Sequence, residues 1–223
     1  MSKSVIALFA LFLPLLVHAQ VLEEDDQPVI VKKSPYAIVE GSSEHNRMGK
    51  VQEIFVTPVA MGPVPGVNAG FGFAKYITRN DAVVVTFSTL TKGSTCSGAL
   101  TCSDSGFAVE INYRRFITNS FYFGTGLNQR SVHSEGTDEW AGNEFSFDGT
   151  TTALGFVIGN QWQWQNFMLG CDWVGVNIPL ITNVSNVKNI NNGSSIHDYE
   201  SSKSSLVTNT TAMGLRLHIG YTF

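Results

Sequence analysis

The last nine residues, Leu215 to Phe223, carry an apolar side chain at every second position, with polar or small residues between them. Successive strand side chains point to opposite faces. Leu215, Leu217, Ile219, Tyr221 and Phe223 therefore share one face, and Arg216, His218, Gly220 and Thr222 the other. The same period of two recurs upstream. Eight alternating runs read as strands, at roughly 51–61, 67–77, 82–91, 107–116, 121–130, 151–162, 167–178 and 206–223. No helical period of comparable length competes with them.

The segments between the runs differ in kind. Residues 78–81, 118–120 and 163–166 read as tight turns, whereas 92–106, 131–149 and 179–205 are long and rich in Gly, Ser and Asn. Short and long connections alternate after the second run, and only the first loop, 62–66, departs by being short. Strands that go up and down, with turns at one end and loops at the other, predict an all-β, antiparallel, up-and-down eight-stranded transmembrane β-barrel. The Asn192-Gly193 pair is a hairpin signal, so strands seven and eight are expected to continue past the membrane as an exposed ribbon.

Charge tests the alternation, because an Arg or Lys facing mid-bilayer costs about 2–4 kcal/mol. Run four turns Phe107, Val109, Ile111 and Tyr113 to one side and Glu110 and Arg114 to the other. Run five hides Gly124, Gly126, Asn128 and Arg130, and run six exposes Leu154, Phe156 and Ile158. In run seven Asp172 falls inside, but Val174, Val176 and Ile178 then fall out of phase, which a β-bulge or an outward extension beyond the bilayer would explain. Lys75 lies in phase with Phe71 and Phe73, close enough to the turn end to snorkel. Glu110, Arg114, Arg130, Asp172, Arg216 and His218 form an expected charge cluster in the lumen. An eight-stranded interior is just wide enough for side chains to fill.

Composition agrees with strands of one greasy and one polar face. Charged residues make up 14% of the 223-residue chain against about 25% in soluble domains, glycine numbers 21 and aromatics reach 11%. The net charge of −4 gives no basic footprint, so nucleic acid is not an expected partner. Residues 1–19 read as a signal peptide: Lys3, an apolar run from Val5 to Val17, and Ala19 before a cleavage point. Residues 20–50 then read as a largely irregular N-terminal periplasmic lead segment, and 51–223 as the barrel. Tyr76, Trp162, Trp164 and Tyr221 are expected in an interfacial aromatic girdle.

On these features, over residues 51–223, the chain resembles the small eight-stranded outer-membrane barrels of Gram-negative bacteria, of the OmpA or OmpX type. The resemblance implies cell outer membrane localisation. It also implies that Leu215, Leu217, Ile219, Tyr221 and Phe223 act as the C-terminal insertion signal read by the barrel assembly machinery. The expected partners are outer-membrane lipids and lipopolysaccharide, with a surface ligand left open, and the expected state is monomeric. No cofactor, metal or catalytic group is expected.

The remaining chemistry is sparse. Cys96 and Cys102 lie in one exported loop and are expected to form a disulfide, leaving Cys171 as a small apolar strand residue. Ser131, His133 and Glu135 alternate onto one face, but adjacent alternation is not triad geometry, and barrel lipid A deacylases use the order His-x-Ser. The reading is a non-enzymatic barrel with a structural or cell-surface interaction role through its loops. A narrow gated pore, a lipid A-modifying barrel enzyme and a soluble secreted β-sandwich are the alternatives.

Overall fold

Each alternating run pairs antiparallel with the next, and the last pairs with the first. The computed structural model describes residues 40–61, 67–93, 100–138, 144–188 and 199–223, with the side chains of all but 67–68, 90–93, 100–102 and 138. The strands are β1 Gln52–Met61, β2 Val67–Thr78, β3 Asp81–Gly93, β4 Leu100–Phe116, β5 Phe121–Asp138, β6 Glu144–Trp164, β7 Phe167–Lys188, β8 Thr211–Met213 and β9 Arg216–Thr222. Both β8 and β9 pair with β7, and β9 also pairs with β1. They are two pieces of one stave, so the sheet closes into a ring of eight.

Closure is completed at the turn end, where Phe223 accepts backbone hydrogen bonds from Val51 and Gln52 at 2.9 Å and donates to the Gln52 carbonyl at 3.0 Å. A closed ring leaves no unpaired strand edge along the closed height, which is what hydrocarbon surroundings demand. Ile54, Val56, Phe71, Phe73, Phe107, Phe123, Phe156, Ile158 and Ile219 stand exposed on the outer face. Glu53, Glu110, Arg114, Asp172 and Arg216 are buried on the inner one. This inside-out arrangement satisfies the bilayer rather than water.

At the turn end the belt stops at a polar cluster. Asp81 there accepts from Thr78 Oγ1 at 2.7 Å, from Arg115 Nη1 at 3.1 Å and from the Tyr113 hydroxyl. At the other end the polarity of the wall inverts. On β6 the inward positions become Phe145 and Phe147 while the outward ones become Glu144, Ser146 and Asp148. On β5, Val132 points inward between the outward Ser131 and His133. The barrel there has left lipid and follows the rule of a water-soluble sheet.

This inversion corrects the expected strand lengths. The segments 92–106 and 131–149 are mostly ladder rather than loop, since β4 begins at Leu100, β5 runs to Asp138 and β6 starts at Glu144. Segment 179–205 likewise loses its first ten residues to β7, which ends at Lys188. The ribbon beyond the membrane is built by β6 and β7, paired as far as Ser146 and Lys188, and not by the seventh and eighth staves. The eighth starts at Thr211 rather than Leu206, because Ser204–Thr208 forms a π-helical turn. Staves four to seven thus rise above a short seam made by β8, β9 and β1.

The bulge expected in the seventh stave is present. The register steps from Ile158 opposite Val174 to Gly159 opposite Asp172, leaving Trp173 as the extra residue. Trp173 and Val174 are therefore both outward, and the phase of Val176 and Ile178 is restored. Cys171 is buried, and it is free. The expected Cys96–Cys102 disulfide lies outside the described residues, apart from the backbone of Cys102 opposite Gly136.

Candidate functional site in the lumen

Three layers of side chains fill the barrel, the uppermost being the apolar layer of Val132, Phe145, Phe147, Leu206 and Val207. The middle layer is ionic and is built around Arg216 on β9. Its Nε donates to Asp172 Oδ2 at 2.6 Å and its Nη1 to Glu110 Oε2 at 2.7 Å. One cation thus bridges carboxylates from β4 and β7, which belong to different parts of the ring. Asp172 also accepts from the Tyr122 hydroxyl, and His218 Nε2 lies 3.1 Å from its Oδ2. Glu110 accepts from Asn128 Nδ2 at 3.1 Å and Asn112 Nδ2 at 3.3 Å. A buried carboxylate is tolerable only with such a full set of donors.

Toward the turn end a second network is centred on Glu53. It accepts from the Tyr76 hydroxyl at 2.6 Å and from Gln161 Nε2 at 2.7 Å. Gln161 Oε1 in turn accepts from Arg114 Nη1 at 2.6 Å, and the Arg114 guanidinium lies 4.3 Å above the Tyr122 ring. Gly72 makes room for this layer, because a Cβ there would lie 2.2 Å from the Phe55 ring. Phe55 consequently lies over the neighbouring β2 and meets His218 of the other neighbour, β9, edge-on at 5.0 Å.

A short helix, α1 Ser43–Arg47, closes the floor. Ser42 caps it by accepting from His45 N at 3.1 Å. Arg47 is buried over the Phe116 ring at 3.8 Å, donating to Asn119 O at 2.7 Å and Arg79 O at 3.3 Å. Burial pulls its pKa down to about 10, so it remains a cation at neutral pH. Asn46 Nδ2 donates to Gln163 O at 2.8 Å, and Gln163 N to Ser43 Oγ at 3.1 Å. One helix therefore holds all three tight turns, at Arg79, Asn119 and Gln163.

The expected cluster is thus divided. Glu110, Asp172, Arg216 and His218 meet in one network, whereas Arg114 joins the layer below and Arg130 lies farther up, with Nη1 3.3 Å from Thr211 Oγ1. Tyr76, expected at the interface, is a correction: it is an inward residue of β2, hydrogen-bonded to Glu53. Trp162, Trp164 and Tyr221 do point outward near the turn end. Glu53, Tyr122, Gln161 and Thr57 were missed by the sequence reading, although the alternation of Glu53 with the outward Ile54 carried the signal. Arg47 had none, lying in a segment without a period.

Two arrangements invite a catalytic reading, and neither sustains it. Thr57 Oγ1, His218 and Asp172 stand in relay order, with contacts of 2.9 and 3.1 Å, but they are 2%, 1% and 0% exposed and offer a substrate no approach. On the outer face, His133 uses Nδ1 toward Asp148 Oδ1 at 2.6 Å and Nε2 toward Glu135 Oε1 at 3.0 Å. Neither ring nitrogen is left for Ser131.

His133 lies above the apolar belt, and its two carboxylates raise its pKa, Glu135 first and Asp148 second. Asp148 is lowered by the Asn186 amide and then by His133. The His133 contribution is complete below the ordinary imidazole value and fades as pH rises through the raised one. The Asp148 contribution is complete above the ordinary carboxylate value and fades as pH falls through the lowered one. The cluster is therefore tightest between about pH 4 and pH 6.5. An NMR titration is expected to place the His133 midpoint above 6.5, the ordinary imidazole value, and Asp148→Asn to lower it. An identical midpoint in the variant would contradict the contact.

An antiparallel ring of eight staves, apolar over a belt outside and charged within, is a transmembrane β-barrel. No family model matches the chain and no curated protein matches it. Among solved structures it is similar to a major outer membrane protein from Thermus thermophilus, at 12% identity and a TM-score of 0.48, covering 78% of this chain and 98% of that one. It is also similar to Ail, the attachment invasion locus protein of Yersinia pestis, at 10% identity and a TM-score of 0.42, covering 78% and 97%. Neisserial surface protein A is similar at 14% identity and a TM-score of 0.41, covering 78% and 96%.

Proposed function

We propose that this chain is a non-conducting, non-enzymatic barrel of the outer membrane. Its role is structural or cell-surface contact, through the tall wall of β4 to β7 and the connections above it. One observation carries the reading: the lumen is occupied from floor to mouth by the α1 helix, the Glu53 and Arg216 networks and an apolar layer. An ion would have to displace paired buried charges to pass. Outer-membrane lipids and lipopolysaccharide surround the belt in this reading, the barrel assembly machinery inserts a monomer, and the outward His133 cluster sits at the headgroup level.

Reconstitution tests it. The purified barrel is expected to show a heat-dependent gel shift and no stepwise current in planar bilayers. Ohmic steps from a preparation that passes the gel-shift control would establish the narrow pore instead. Lipid A of unchanged mass with and without the protein is expected, and a gained or lost acyl chain would establish an enzyme.

A further inference from the structure

The α1 helix at the floor is carried between two glycines. Gly41 and Gly49 flank it with φ of 76° and 78°, and a Cβ added at either position would meet nothing within 4 Å. No neighbouring atom forces glycine there, so what the residue supplies is the left-handed turn itself. The helix is a short rigid piece between two swivels, whereas each stave is held by a ladder. Gly49 also lies next to the closure of the ring. Two residues on, Val51 N donates to Phe223 O and Val51 O accepts from Tyr76 N, both at 2.9 Å. The downstream swivel is therefore fixed in place by the joining of the first stave to the last.

What α1 reaches is a seat made by different hairpins. The Arg47 guanidinium packs on Phe116 of β4 and donates to the carbonyls of Arg79, in the β2–β3 turn, and Asn119, in the β4–β5 turn. Glu44 N donates to Asn119 Oδ1 at 2.8 Å, and Gln163 Nε2, beside the β6–β7 turn, donates to Asn46 O at 3.0 Å. Arg79, Asn119 and Gln163 belong to three hairpins, so the seat exists only when all three stand in register. A flat cation lying on a ring, with carbonyls at its edge, is an arrangement that favours a guanidinium over an ammonium. Arg47 Nη2 is buried with no hydrogen-bond partner among the described residues, which subtracts from the stability of the seated form.

We infer that the floor is a guanidinium-binding site which the chain fills in cis, α1 being a latch that swings on Gly49 and seats Arg47 after the ring has closed. Seating reads the register of three hairpins at once and is the last step in folding of the barrel. Before it, the peptide bond after Arg47 is open to solvent and to proteases; after it, Arg47 is 1% exposed. The latch holds the turns against splaying and leaves the lumen networks above it unaltered. Its loss therefore changes how often the turn end opens and not whether the barrel forms.

Two measurements on the full chain in phosphatidylcholine vesicles test this. During folding, trypsin is expected to cut after Arg47 until the heat-shifted band has formed, and to stop thereafter; protection that precedes the band overturns the order. In the folded barrel, Arg47→Ala is expected to speed amide hydrogen exchange at residues 44–48 by about tenfold or more, with the gel shift and exchange within β5 unchanged. Millimolar propylguanidinium is expected to restore most of that protection, and propylammonium at the same concentration to restore none. Native exchange rates in Arg47→Ala, rescue by neither cation, or equal rescue by both overturns the guanidinium site.

Discussion

Arg216→Met is expected to destabilise the folded barrel by about 3–5 kcal/mol, measured by urea unfolding from vesicles with the gel shift as readout. The cost arises from what is left behind. Without the Arg216 guanidinium, Glu110 keeps only the neutral amides of Asn112 and Asn128, and Asp172 only the Tyr122 hydroxyl, His218 and the charge of Arg114, to which it is not hydrogen-bonded. Arg216→Lys is expected to recover part of the loss, since an ammonium keeps the charge but lacks the fork that reaches two carboxylates at once. The triple change Glu110→Gln, Asp172→Asn, Arg216→Met removes all three charges and is expected to lie within about 2 kcal/mol of the native protein. A single Arg216→Met variant of native stability would show that the bridge contributes nothing.

That contrast also separates the two jobs an ion pair performs. Burying three charges costs desolvation that their attraction barely recovers, so the bridge does little for net stability. It does specify register. Arg216 reaches Glu110 and Asp172 only when β9 lies with Leu217 opposite Cys171 and Arg216 opposite Asp172. A slip of one residue on β7 would turn Arg216 to the lipid face, at a cost of about 2–4 kcal/mol. The triple neutral variant is for this reason the one whose closing seam has lost its register mark.

The parts of the fold that were legible in sequence are those where lipid imposes a one-sided rule. Phe107, Val109 and Ile111 against Glu110 and Arg114 can be placed without a structure, because hydrocarbon outside and charge inside leave one phase open. Above the belt the rule reverses. Phe145 and Phe147 face inward there, and a reading tuned to apolar-outside takes their stretch for loop. Tyr76 was misplaced for a related reason: a tyrosine near a turn suits an interface by composition, and only its phase relative to Phe73 and Lys75 sends it inward toward Glu53. The partition of six inward charges into separate networks depends on stagger around the ring, which no local pattern records. Arg47 is the extreme case, since its partners lie 32 and 72 residues away in turns whose carbonyls give no sequence signal.

Deleting Phe223 is expected to abolish most membrane assembly in cells, whereas Phe223→Ala separates the reasons. The backbone of residue 223 makes three hydrogen bonds to Val51 and Gln52 that close the ring, and the alanine variant retains all of them. Its phenyl ring is half exposed and lies beside Tyr221, with centroids 6.4 Å apart. If that ring is the element read by the assembly machinery, Phe223→Ala refolds in detergent with a normal gel shift yet reaches the membrane poorly in cells. The deletion, which also leaves the Val51 and Gln52 amides without the Phe223 carbonyl, is expected to unfold at lower urea in vitro as well. Equal membrane yields for Phe223→Ala and the native chain would assign the residue to ring closure alone.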